Sequence, residues 1–188
     1  MVSENRPTVR GAAEEWTTVM RRFLDFLYDA SAWLAALSMV GVLLMVLLSI
    51  AGRQLNFNVP GTDAYAGYAM AASGFLALAH TLKRNEHIRV TLILGQLKGR
   101  ARHGLEVWAL SAAVLLAGLF AFYSVWLAWV SWSIHDISTG NDATPLWIPQ
   151  VTMAIGTLVL LVAFLDEWVL ELRGRRQVLE SAEALHNE

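Results

Sequence analysis

Ala30 to Ala51 reads ASAWLAALSMVGVLLMVLLSIA, 22 consecutive residues with neither a charge nor a proline. As a helix that stretch rises about 33 Å, enough to cross the roughly 30 Å of hydrocarbon in a bilayer. Three further apolar runs follow, at Ala64 to Leu82, Leu105 to Ile134 and Leu146 to Leu170. They predict an all-α, integral membrane four-helix protein. The composition agrees, with 56% of residues apolar and only 16% charged. The first run is too long, and too far from the N-terminus, for a cleavable signal peptide, and it reads as a retained signal anchor.

The charges between the runs orient them. Arg6, Arg10, Arg21 and Arg22 precede the first run. Lys83, Arg84, Arg89, Lys98, Arg100 and Arg102 separate the second from the third, and Arg173, Arg175 and Arg176 follow the fourth. Of the 14 Lys and Arg residues, only Arg53 falls elsewhere. The positive-inside rule places these thirteen on the cytoplasmic side. The expected organisation is a cytoplasmic N-terminus with an interfacial helix (1–29), one transmembrane domain (30–171) and a cytoplasmic tail (172–188). Tryptophans mark the same boundaries, with Trp33, Trp108 and Trp168 near the inner ends and Trp129, Trp132 and Trp147 near the outer ends, where amphipathic rings favour the headgroup zone.

Two amphipathic segments flank the spans. In Glu14 to Tyr28, Trp16, Val19, Met20, Phe23 and Leu27 recur at helical spacing, while Ile88 to Leu97 sets Val90, Ile93, Leu94 and Leu97 on one stripe. Both are expected to lie as helices on the cytoplasmic face, a solvated loop being the alternative.

The spans differ in their packing faces. The second carries Gly67, Ala71 and Gly74 on one face and Ala69, Ser73 and Ala77 on another, so backbones are expected to approach it closely and make it central. In the third, Ala109, Ala113, Ala117 and Ala121 form a ladder suited to a helix seam. The first, rich in leucine at positions 43, 44, 47 and 48, reads as a wall facing lipid or a partner.

Chemistry is sparse. Ionisable groups at mid-membrane cost about 2.5 kcal/mol or more and mark transport paths, and this chain has none there. Glu106, Asp166 and Glu167 sit near span ends and are expected to be solvated. His80 is the only in-span histidine, whereas a membrane haem needs a facing pair. There is no cysteine, and no nucleophile, phosphate-loop or metal-ligand motif appears. No catalytic residue, metal or cofactor is expected, and no nucleic-acid partner. Pro145 and Pro149 open the fourth span, where proline is tolerated in the first turn.

Particular residues then point to a family. SIAGRQLNF (Ser49 to Phe57), the segment NEHIRV (Asn85 to Val90) after the second span, and TPLWIP (Thr144 to Pro149) followed by Gly156 resemble, in order and spacing, motifs of the small membrane subunits of tripartite ATP-independent periplasmic (TRAP) transporters. The resemblance covers roughly Trp33 to Glu171. The chain departs from it in carrying the single acid Asp63 where a Glu is common, and Thr91 where an acid often follows.

The resemblance implies a bacterial inner-membrane subunit with both termini cytoplasmic. It would act as a fixed scaffold for a large membrane subunit that moves substrate and sodium, with a periplasmic binding protein delivering an organic acid. The subunit-interface or structural residues expected on this basis are Arg53, Asp63, Gly67, Ala71, Gly74, His87, Arg89, Trp147 and Pro149. Arg53, the one outer cation, either anchors to lipid headgroups or pairs with Asp63 or partner groups. His87 and Arg89 divide between lipid phosphate and a protein partner. Two other classes stand beside this one: a membrane anchor of a redox complex, and a self-contained small dimeric carrier.

Overall fold

The computed structural model describes residues 9–57, 59–83 and 100–172, with side chains from residue 21 in the first stretch and from residue 103 in the last. Among these residues there are four helices, α1 (Val9–Gln54), α2 (Thr62–Lys83), α3 (Arg100–Ser133) and α4 (Trp147–Leu172). The nearest approach to sheet is a single antiparallel bridge between Ile137 and Pro145. The expected all-α class holds. Each helix contains or nearly matches one of the four apolar runs, although α1 begins at Val9, well before Ala30, and charge, Pro and Gly punctuate the sequence where the helices stop.

α1 is 46 residues long, about 69 Å at helical rise. The segment expected as an interfacial helix is continuous with the first span, and its end belongs to the core. Tyr28 is buried with Ala79, Val159 and Ala163, and Leu24, Leu27 and Leu82 pack around that cluster. The second expected surface helix lies outside the described residues.

The helices pack as a row, α1 on α2, α2 on α4, and α4 on α3. Each seam is built from small residues. α1 meets α2 where Ala35 buries against Ala72 and Leu76. α3 buries Ala117, Ala121, Ser124, Ala128 and Ser131, positions three or four apart that fall on one stripe. The expected alanine ladder is thus realised from Ala117 outward, whereas Ala109 is exposed. Ser124 Oγ on this stripe bonds back to its own helix, donating to the Phe120 carbonyl at 2.8 Å. It therefore adds no unmet polar group to an apolar contact.

The closest approach of two helices falls at Gly156. A Cβ there would lie 2.6 Å from both the carbonyl carbon and the oxygen of Phe75. Only glycine permits α2 and α4 to meet so tightly. By contrast, a Cβ at Gly67 or Gly74 would have nothing within 4 Å, and Ala71 beside them is exposed. α2 is internal to the row as expected, yet this small-residue face is open rather than packed. Periodicity identified the stripe but not which of the two small faces meets a helix of the same chain.

Arg21–Gln54, His103–Ser133 and Trp147–Leu172 are long and apolar enough to cross a membrane. α2 has the length, at 22 residues, but its alanines, glycines and tyrosines lower its hydropathy. Its place between α1 and α4 accounts for the difference, since a helix flanked on two sides meets less lipid. Large apolar side chains stay uncovered elsewhere, among them Leu43, Leu44, Leu116 and Phe122.

Candidate functional site

At their C-terminal ends α1 and α3 stop in the same way. Asn56 takes φ 58° and the Phe57 N–H donates to the Gly52 carbonyl at 3.0 Å. His135 takes φ 53° and the Asp136 N–H donates to the Ser131 carbonyl at 3.0 Å. Both are Schellman caps, which satisfy end carbonyls and turn the chain sharply. Asn and His reach the left-handed region more readily than most residues.

The turns bring two loops together, the one after α1 and the one after α3. After α3, the Ser138 N–H donates to the Thr144 carbonyl at 2.9 Å and the Leu146 N–H to the Asp136 carbonyl at 3.0 Å, forming a short hairpin. Asp142 near its tip accepts from Ser138 Oγ at 2.8 Å and from Tyr68 Oη of α2 at 3.0 Å. Thr144 Oγ1 donates to Tyr65 Oη at 3.3 Å, and the Tyr65 and Tyr68 rings meet edge to face. Gly61, at φ 82°, closes the contact, because a Cβ there would stand 2.8 Å from that of Asp142. Enclosure by the loop raises the Asp142 carboxyl. Hydrogen bonds from Ser138, Thr144 and Tyr68 and from its own backbone outweigh that effect and hold its pKa at about 2.

Beside this junction lies a cavity of about 520 Å³ lined by Ser49, Arg53, Asn56, Asp63 and Asn141 among others. Arg53 Nη2 stands 4.0 Å from Asp63 Oδ2, and both side chains are largely exposed. An exposed pair at that distance contributes little to stability. Ser49 Oγ adds a 3.3 Å hydrogen bond to Asp63. The cavity therefore offers a guanidinium, a carboxylate and two amides to whatever approaches this end of the molecule.

The opposite end of the helix row carries a second polar layer. Lys83 pairs with Asp25 and lies 4.9 Å from the centre of the Tyr28 ring. His103 Nδ1 and Glu171 Oε1 are 2.7 Å apart, with Glu171 buried. Trp168, expected as a headgroup anchor, instead donates from Nε1 to Ser111 Oγ at 2.9 Å and joins α4 to α3. Glu106, Asp166 and Glu167, expected at solvated ends, are half-buried.

Of the residues singled out from sequence, the structure brings Arg53 and Asp63 together. Trp147 meets Trp132 edge to face at 4.9 Å, and Pro149 sits in the first turn of α4. Gly67, Ala71 and Gly74 share one open face, whereas His87 and Arg89 lie outside the described residues. The Asp142 junction was missed. Its signal was present in two tyrosines three apart and a Ser, Asn and Asp cluster in the facing loop, but nothing in sequence tied one loop to the other.

Comparison with known families matches residues 42–174 to the DctQ component of the tripartite ATP-independent periplasmic transporters. A search of curated proteins finds no significant match.

Proposed function

The chain belongs to the DctQ component family of the tripartite ATP-independent periplasmic transporters, and on that premise we propose that it is the fixed scaffold of a sodium-coupled importer of an organic acid. Its partners in this reading are a large membrane subunit, a periplasmic binding protein and the surrounding lipid. All four helices span the bacterial inner membrane, with both termini in the cytoplasm. The charge distribution supports that orientation, since Arg53 alone among the cations falls in an outer segment.

The observation that carries the scaffold role is the open face of α2. Asp63, Gly67, Met70, Ala71 and Gly74 are all exposed on a helix that is otherwise flanked on both sides. In lipid, helices associate through small residues that let backbones approach, and among the described residues no helix covers this face. A large-subunit helix does so here. The Arg53–Asp63 cavity at the outer end of the same face then receives polar groups of the assembled transporter, while His87 and Arg89 contact lipid phosphate at the inner side. Transport chemistry resides in the larger subunit, because the sequence places no ionisable group at mid-membrane to replace a carboxylate's hydration.

Affinity purification from native membranes tests this reading. A larger multi-span protein is expected in stoichiometric amount. Recovery of the chain alone under conditions that preserve other membrane complexes would contradict it.

A further inference from the structure

At the inner end of the α1–α2 seam lies a second cavity, about 430 Å³, lined by Asp29, Ala32, Trp33 and Ala36 of α1 and by His80 of α2. The outer junction and the open α2 face make no use of it. Asp29 is the ionisable residue that borders the long apolar run of α1, and its side chain is 69% exposed. His80 is mostly enclosed, and its Nδ1 is buried without a hydrogen-bond partner. The two polar atoms, Asp29 Oδ1 and His80 Nδ1, are 3.7 Å apart, too far for a direct hydrogen bond. A donor atom lying to one side of that line reaches both at about 2.8–3.0 Å. Near them, Lys83 is already engaged by Asp25 and by the Tyr28 ring, so it does not fill the gap. Trp33, 78% exposed, stands at the cavity rim, and Ala32 and Ala36 continue the cavity as a narrow apolar strip.

We propose that this cavity binds the primary ammonium of an ethanolamine phospholipid in the inner leaflet. The ammonium donates one N–H to the Asp29 carboxylate and another to His80 Nδ1, the imidazole carrying its own proton on Nε2. Trp33 flanks the glycerol region at the depth where indole rings favour the interface, and an acyl chain lies along Ala32 and Ala36. The donor inventory sets the specificity. A primary ammonium has three N–H groups and a quaternary choline has none, so choline lipids leave the His80 acceptor unmet. A lysine from a protein partner has the same donors, but the exposed tryptophan and the apolar strip beside Asp29 and His80 fit an amphiphile with a tail. The site rests on the membrane placement proposed above and is independent of the transporter role.

The test is native mass spectrometry of the full-length, delipidated chain in detergent, titrated with dioleoylphosphatidylethanolamine or dioleoylphosphatidylcholine. The wild type is expected to hold the ethanolamine lipid about tenfold more tightly, the scale of a charge-assisted hydrogen bond. Asp29→Asn and His80→Phe are each expected to bring the two lipids close to parity, while Asp63→Asn at the outer end keeps the preference. Equal binding of both lipids by the wild type would overturn the proposal, whether water or a partner's lysine satisfies the pair instead. So would a preference that survives both inner substitutions, or one that Asp63→Asn abolishes.

Discussion

Gly156 and Gly67 are indistinguishable as letters, and the structure gives them opposite roles. A methyl at Gly156 would press on the Phe75 backbone at 2.6 Å, and backbone cannot yield as a flexible side chain does. Gly156→Ala is therefore expected to cost about 1–3 kcal/mol in unfolding followed in detergent. Gly67→Ala, facing open space, is expected to stay within about 0.5 kcal/mol. Asp142 gives a pH prediction with a definite sign. Its pKa is held at about 2 in the folded chain, below the usual 3.9 or so of an unconstrained aspartate. The stability it contributes is thus fully present above about pH 4 and is lost as the pH falls toward 2. Acid unfolding of Asp142→Asn is expected to lack that part of the pH dependence. An unchanged acid profile would mean that the hydrogen bonds from Ser138 and Tyr68 do not favour the charged form.

Element boundaries were legible because their causes are local. Pro149 in a first turn and the charged residues and tryptophans near helix ends act through a few neighbouring residues. α2, α3 and α4 begin and end within a few positions of the runs read from sequence, whereas α1 begins at Val9, well before its run at Ala30. Pairing of helix faces was not legible. Along an apolar helix every stripe has comparable hydrophobicity, so the small faces of α2 looked equivalent until Gly156 of α4 was found against Phe75 and Gly67 against nothing. The Asp142 junction was hidden for a related reason, since Tyr68, which donates to Asp142, and Tyr65, which accepts from Thr144, each lie more than seventy positions from their partners. The open α2 face carries its own prediction. Gly67→Leu or Gly74→Leu should leave the melting of the isolated chain nearly unchanged and reduce recovery of the large subunit in co-purification. Loss of chain stability without loss of the complex would assign the face to the chain's own folding.

At the scale of the molecule, the row of helices and the uncovered leucines and aromatics suit the proposed place in lipid beside a larger subunit. Reporter fusions at Gly99 and Arg175 are expected to be cytoplasmic and one at Asn141 periplasmic. An external Gly99 would break the four-span arrangement. The functional claim is tested most directly in proteoliposomes carrying a sodium gradient and supplied with the cognate binding protein and its organic acid. The account predicts uptake when this chain and the large membrane subunit are reconstituted together, and none from this chain alone. Sodium-driven uptake by this chain without its partner would contradict it.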